Sequence, residues 1–257
     1  MNFKNKKKKK IKYTVFFTGT ILILSSIAYL SYKWCTFRQI FRIDKIDITG
    51  CYIITEQDIM NKIQKLVKDK SLKQINCQKI QNSIQEMQFV KASNVIKRFP
   101  AKLQIQIIER IPLCYLINSD NNYLLDAKGT LLPIPDNSLN SNLPLITGYQ
   151  LAESVDYGEQ ISSQKLKNSV ALFADLKSQV PEAFNIISEL NYNTNSEQYM
   201  LYLNTNTKIY LGTNDIKQRL NVLIHFLKQI PDNIEIGRYE YLDMRWKDQI
   251  VVKPKNI

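Results

Sequence analysis

The sequence predicts an α+β protein: a single N-terminal transmembrane helix, a βααββ domain, then a mixed antiparallel-sheet domain flanked by helices. Three observations carry that expectation. A lysine-rich start runs into one long apolar segment. The region after it switches between apolar periods of 2 and of 3.6 residues. Asn-rich turn signals then divide the second half into short strands.

Residues 1–12 hold seven lysines (Lys4, Lys6 to Lys10, Lys12) and no acid, and Val15 to Tyr32 are eighteen residues without a charge. At the helical rise eighteen residues span roughly 27 Å, close to the bilayer hydrocarbon. Tyr13 stands at one end and Tyr29, Tyr32 and Trp34 at the other, where amphipathic rings suit the headgroup layer. The expected division is a cytoplasmic tail at 1–12 and a transmembrane helix at 13–34, with everything beyond exported by the positive-inside bias. A cleaved signal peptide has a shorter apolar core that ends at small residues. Tyr29-Leu30-Ser31-Tyr32-Lys33-Trp34 puts bulky residues there, which favours an uncleaved anchor.

Seven of the twelve net positive charges lie in that tail, so the basic balance is a topology signal and not a nucleic-acid footprint. Cys35, Cys51, Cys77 and Cys114 form no CxxC and no zinc-type spacing. An exported domain permits a Cys51–Cys77 disulfide, and small buried thiols are the simpler reading.

Phe41, Ile43, Ile46 and Ile48 are spaced like a strand that slips phase at Asp44-Lys45 and ends at Gly50. Thr55-Glu56-Gln57-Asp58 carries a capping-box pattern, with Ile59, Ile63 and Leu66 behind it as one helical stripe. Asn76 opens a second helix with Ile80, Ile84 and Met87 on one face. Val90 to Ile96 and Leu103 to Ile107 read as strands around Arg98-Phe99-Pro100-Ala101. In the second, Leu103, Ile105 and Ile107 alternate with Lys102, Gln104 and Gln106, so one face is core and the other wet.

The order strand, helix, helix, strand, strand after a lone anchor resembles a POTRA domain. The runs Ile46-Asp47-Ile48-Thr49-Gly50, Val90-Lys91-Ala92, Lys97-Arg98-Phe99-Pro100 and Ile107-Ile108-Glu109-Arg110-Ile111-Pro112 resemble, in order and spacing, the FtsQ/DivIB family of bacterial division proteins. That places a POTRA-like domain at 37–112 and an FtsQ-type α+β domain at 113–257.

In the second domain, Leu113 to Ile117, Tyr123 to Asp126 and Thr130 to Leu132 are expected strands, with turns at Ser119-Asp120-Asn121-Asn122 and Ala127-Lys128-Gly129. Asp136 to Leu143 reads as a polar loop, and Pro144-Leu145-Ile146-Thr147-Gly148 resembles a further family segment. Ser162 to Val180 carries a helical stripe of Leu166, Val170, Phe173 and Leu176, stopped by Pro181. Glu189 to Leu211 reads as strands broken at Asn193-Thr194-Asn195 and Asn204-Thr205-Asn206. Asp215 is placed to cap a last helix with the stripe Ile216, Leu220, Leu223, Leu227 and Ile230. Tyr239 to Val252 closes the chain as a strand pair, in which Tyr241-Leu242-Asp243-Met244-Arg245-Trp246 resembles another family segment.

Catalytic, cofactor and metal residues are expected to be none. His225, the only histidine, falls off the apolar stripe of its helix, and no nucleophile elbow, HExxH pair or phosphate-binding glycine loop occurs. Glu109, Asp126 and Asp243 are acids that the sequence alone cannot bring together, and Glu109 beside Arg110 reads as a surface or interdomain salt bridge. Neither nucleic acid nor a small-molecule substrate is an expected partner.

What remains is binding through a sheet edge, where unpaired N–H and C=O groups accept a partner strand. Ile250-Val251-Val252 is the terminal strand, Lys253-Pro254 is expected to stop pairing beyond it, and Trp246 is an aromatic anchor of the kind found in hot spots. Trp246, Ile250 and Val252 also read as ordinary core and strand residues. The resemblance implies that FtsB-like partners bind along this strand, at Trp246, Lys247, Asp248, Gln249, Ile250, Val251 and Val252. The Lys247-Asp248-Gln249 turn departs from the glycine-containing turns of the family, and Ser196-Glu197-Gln198 offer no interface arginine. The resemblance implies a non-enzymatic divisome scaffold of the inner membrane at the division site, binding FtsB-like and FtsL-like coiled-coil proteins and helping control septal peptidoglycan synthesis. The alternatives are an envelope enzyme with a site of scattered carboxylates, or a POTRA-type transport component, which is expected to continue into an outer-membrane barrel.

Overall fold

The computed structural model describes residues 3–38, 40–118, 121–135, 143–150, 156–213, 215–229, 236–246 and 249–255, with side chains from Val15 onward except at 35 and 36. The 119–120 part of one expected turn, nearly all of the 136–143 loop, Ile230 and the Lys247-Asp248 pair lie outside these residues. The chain folds as two compact units, Met1–Glu109 and Arg110–Ile257.

The first unit begins with α1 (Phe3–Phe37), one helix that runs through the lysine tail and the apolar segment. Within it Val15–Trp34 is the one stretch among the described residues long and apolar enough to cross a membrane, and none of it is buried against protein. Thr18, Thr20 and Ser25 turn their hydroxyls back to carbonyls at Val15, Phe16 and Leu22 of the preceding turn, which removes the polar groups a bilayer would not solvate.

Next come β1 (Lys45–Thr49), α2 (Glu56–Val67), α3 (Cys77–Gln85), β2 (Val90–Arg98) and β3 (Lys102–Glu109). The βααββ order expected of a POTRA domain is therefore present. Among the described residues these strands form a three-stranded sheet of order β1-β3-β2, with β1 parallel and β2 antiparallel to β3. The first strand is shorter than the apolar spacing implies. Phe41 and Arg42 precede it, and Arg42 instead forms a single bridge with Ser71. The Thr55–Asp58 capping box forms as the spacing predicts: Asp58 N–H donates to the Thr55 hydroxyl, and Thr55 N–H to the Asp58 carboxylate, both at 3.1 Å. Ile59, Ile63, Ile80 and Ile84 of the helices and Leu103, Ile105 and Ile107 of β3 are all buried and belong to the core. Each of these side chains contributes roughly 1.5–3 kcal/mol by leaving water.

Gly50 ends β1 at φ 88°, and a Cβ there would overlap the carbonyl oxygen of Ile107. Both the handedness and the close approach require glycine. Beyond it the chain reaches α2 through Tyr52, Ile53 and Ile54, whose N–H groups all donate to the Glu109 carboxylate at 3.1, 2.8 and 3.0 Å. Glu109 is 8 % exposed. The expectation of a surface or interdomain pair with Arg110 is overturned, because three orphan donors at a buried turn hold the carboxylate more firmly than a solvated cation would.

In the second unit the elements are β4 (Pro112–Ile117), β5 (Asn122–Asp126), β6 (Leu131–Leu132), β7 (Leu145–Thr147), α4 (Gln164–Gln179), α5 (Pro181–Phe184), β8 (Ile187–Asn193), β9 (Gln198–Leu203), β10 (Lys208–Gly212), α6 (Ile216–Gln229), β11 (Tyr239–Asp243) and β12 (Val251–Pro254). Among the described residues nine strands form one sheet of order β12-β11-β10-β9-β8-β7-β4-β5-β6. It is mixed: β7 runs parallel to both its neighbours, and β10 parallel to β11. Strand β9 shows the period-2 burial of a one-sided sheet. In β9, Tyr199, Leu201 and Leu203 are buried while Gln198, Met200 and Tyr202 are half-buried. Against it pack Leu166, Val170, Phe173 and Leu176 of α4 and Leu220, Leu223 and Ile224 of α6. Pro181 does stop α4, and it also starts the short α5, since its fixed φ suits a first helical position.

The two ends of this sheet differ. At β6, Leu131 N–H donates to Glu159 O and Leu131 O accepts from Gly158 N–H, so the 156–161 segment covers that edge. At the other end β12 has β11 on one side and no strand on the other among the described residues.

Candidate partner-binding edge

The side chains of β12 are all exposed, with Val251 42 % and Val252 38 % open to solvent. Its inner side pairs antiparallel with β11: Asp243 faces Val251, Leu242 faces Val252, Tyr241 faces Lys253 and Tyr239 faces Pro254. Pairing thus continues through Lys253-Pro254 instead of stopping before them. The reason lies in which way position 254 faces. Lys255 N–H donates inward to Arg238 O at 2.7 Å. On an extended strand the inward N–H groups recur every second residue, so those of 253 and 251 also face β11. Position 254 faces outward, and proline there costs no bond to β11. The free side therefore offers the N–H and C=O of Val252, and at Pro254 a carbonyl with no donor.

Two lysines of this end reach neighbouring segments. Lys253 pairs with Glu240 at 2.7 Å, and that carboxylate raises the Lys253 pKa. The Lys255 ammonium donates to Thr205 O at 2.7 Å.

Where β11 ends, Asp243 is buried and grips Arg245. The guanidinium donates to both carboxylate oxygens, Nε to Oδ1 at 2.8 Å and Nη2 to Oδ2 at 2.6 Å, and the Arg245 N–H adds a third bond at 3.0 Å. The Arg245 cation holds the Asp243 carboxyl below its ordinary value. Trp246 follows, 58 % exposed. Beside it lies a pocket of about 170 Å³, lined by Met244, Arg245, Trp246 and Gln249 and by Asp215, Gln218, Arg219 and Val222 from the start of α6. Arg219 ties the two sides together by donating to the Leu211 carbonyl and, at 3.4 Å, to that of Arg245. Asp215 opens the helix through its carbonyl, which accepts from Arg219 N–H at 3.0 Å.

Of the residues singled out from sequence, Trp246, Gln249, Val251 and Val252 are exposed along this end, Ile250 is half-buried against the core, and Lys247 and Asp248 lie outside the described residues. The pocket was missed. Asp215, Gln218, Arg219 and Val222 nevertheless recur at i, i+3, i+4 and i+7, a second helical stripe beside the apolar one. The arginines come from α6 and from the end of β11, not from the β8–β9 turn.

The acids do not form a site. Glu109 holds a turn of the first unit. Asp126 accepts from Lys128 and Thr130 N–H, each at 2.9 Å, and from Arg110 at 3.1 Å. Asp126 on β5 and Asp243 on β11 are six strand intervals apart in the sheet, about 29 Å. Among the described residues no three His, Cys, Asp or Glu gather as metal ligands, and His225 is exposed. Cys51, Cys77 and Cys114 are free thiols, with Cys114 buried and its pKa pushed up by desolvation.

Residues 115–245 match the family model described as cell division protein FtsQ/DivIB, C-terminal, and residues 41–110 match the POTRA domain, FtsQ-type. The first match ends at Arg245, so Trp246 and β12 lie beyond it. Among curated proteins, the cell division protein DivIB of Bacillus anthracis is 27 % identical over 247 residues, covering 93 % of this chain and 86 % of that one. The cell division protein FtsQ of Geotalea daltonii is 24 % identical over 246 residues, covering 95 % and 88 %. A solved structure of the major extracytoplasmic domain of DivIB from Geobacillus stearothermophilus aligns at a TM-score of 0.32 with 14 % identity, over 49 % of this chain and 98 % of that one.

Proposed function

Because the chain belongs to the FtsQ/DivIB family of cell division proteins, we propose that it is a non-enzymatic divisome scaffold that captures a partner strand on β12. The family gives it a role in the divisome with protein partners. The apolar span and the family together make it a single-pass membrane protein with an extracytoplasmic domain. Beyond that, the proposal orients residues 1–12 to the cytoplasm, sets the anchor at 13–34 and exports the 37–112 and 113–257 domains. The partners are FtsB-like and FtsL-like bitopic proteins at the division site, and their recruitment helps control septal peptidoglycan synthesis.

One observation carries the binding mode: β12 is the open end of a sheet whose other end is covered. A partner segment in extended form would pair with Val252, set apolar groups on Val251 and Val252, and place a side chain in the pocket beside Trp246. Main-chain hydrogen bonds and apolar burial would offset the ordering of the segment.

The test is a titration of the full chain in lipid nanodiscs against the extracytoplasmic segment of the FtsB-like protein from the same cell, beside a chain cut after Arg245. Binding by the full chain and its loss in the shortened one is expected, with unchanged amide exchange over 45–109. Equal binding by both, or binding by neither, would overturn the edge as the site. A reporter enzyme active only outside the cytoplasm, fused after Ile257, is expected to be active and checks the orientation.

A further inference from the structure

A groove of the first unit, about 1050 Å³, lies among β1, α2 and the 67–74 segment, and Tyr32 is part of its lining. Tyr32 belongs to the span that crosses the membrane, Val15–Trp34. One end of the groove therefore opens at the height of the lipid headgroups. The same end collects cations. The Arg42–Ser71 bridge sets Arg42 against the segment that carries Lys68, Lys70 and Lys73. Lys73 sits 4.3 Å over the Tyr32 ring and 3.9 Å over the Phe41 ring, which fixes its ammonium at this mouth. Arg42, Lys68 and Lys70 are exposed and make no ion pair among the described residues. Three acids share the groove. Glu56 is remote, since α2 puts about 16 Å between it and Val67. Asp44 and Asp69 stay near the cations as acceptors.

We infer that this mouth binds the headgroup of an anionic phospholipid from the outer face of the membrane. Four cations gathered where headgroups begin match a phosphate. The two carboxylates beside them match hydroxyl donors beyond that phosphate, as phosphatidylglycerol carries. Ile43 and Val67 line the same groove and offer the lipid's glycerol backbone an apolar wall. Such a contact would hold the first unit against the bilayer. The inference rests on the membrane crossing of α1 but not on the partner edge.

The test uses the full chain in nanodiscs of phosphatidylcholine, with and without phosphatidylglycerol, read by amide exchange at 41–43 and 68–74. This local readout ignores lipid held by the lysine tail on the other side. Exchange at these amides is expected to slow severalfold with phosphatidylglycerol. The double variant Lys68→Gln/Lys70→Gln, and separately Arg42→Gln, are expected to lose most of that protection, with amides 103–107 unchanged as the check on folding. Equal exchange in both discs, with 15–34 protected so that insertion is assured, would overturn the inference. So would equal protection by inorganic phosphate in phosphatidylcholine discs, which marks a free-anion site. Protection that appears only when a division partner is added would make the occupant a protein and overturn it as well.

Discussion

At the scale of single residues, Asp243 sets a pH limit on the open end of the nine-stranded sheet. Its carboxyl is held below the ordinary 3.8 chiefly by its hydrogen bond to the Arg245 guanidinium. A folded-state pKa below the unfolded one means that the stabilisation is complete above about pH 4 and is lost as pH falls through the folded value. Fluorescence of Trp246 and amide exchange over 239–246 are expected to hold constant from neutral pH to about pH 4 and to loosen below it. In Asp243→Asn the same region is expected to be looser at neutral pH and to show no acid step. This pairing was half legible: the sequence sets Asp243 and Arg245 on one side of a strand, two apart. Glu109 was not legible at all. Its neighbour in the chain is Arg110, but its partners are three N–H groups more than fifty residues away, and no local pattern announces a backbone donor.

At the scale of elements, β12 separates two proline substitutions that look alike on paper. In Val252→Pro the lost N–H faces outward, so pairing with β11 survives and partner binding is expected to fall about tenfold or more, the loss of a main-chain bond and its alignment. In Val251→Pro the lost N–H faces β11, and exchange at 241–243 is expected to rise even with no partner present. Comparing affinity with exchange in the two variants checks the facing of the strand. Long periodic elements were legible because burial on one face writes itself into the sequence: α4, α6, β3 and β9 follow their stripes. β7 was legible only as a short motif. Three residues carry no period, and nothing in them shows that they slot between β4 and β8, parallel to both. The pocket beside Trp246 was hidden for a related reason, because it joins the flank of one helix to the end of a strand some thirty residues later.

At the scale of the whole molecule, the two units carry separate cores, and damage to one should stay there. Ile63 is fully buried in the first unit. Ile63→Ala is expected to lower the stability of that unit by about 2–5 kcal/mol. Denaturant-dependent amide exchange should record the loss across 45–109 and leave 112–255 as it was. Exchange that rises equally in both would show that the units unfold together. The alternation of strand and helix periods made the first unit legible as a whole. The order of the nine strands was not, since it depends on crossovers that bring β11 beside β10 and β7 beside β8 from distant parts of the chain.

The unequal ends of the nine-stranded sheet have an arithmetic consequence. With β6 covered and β12 open, this sheet has a valency of one. A strand added at β12 would leave, among the described residues of this sheet, no second open edge to carry a chain reaction onward. Two copies meeting at β12 would also set Pro254, a residue without a donor, into the seam. On the proposed reading, this sheet would be an end-stop for strand addition, able to take a partner strand without passing the pairing on.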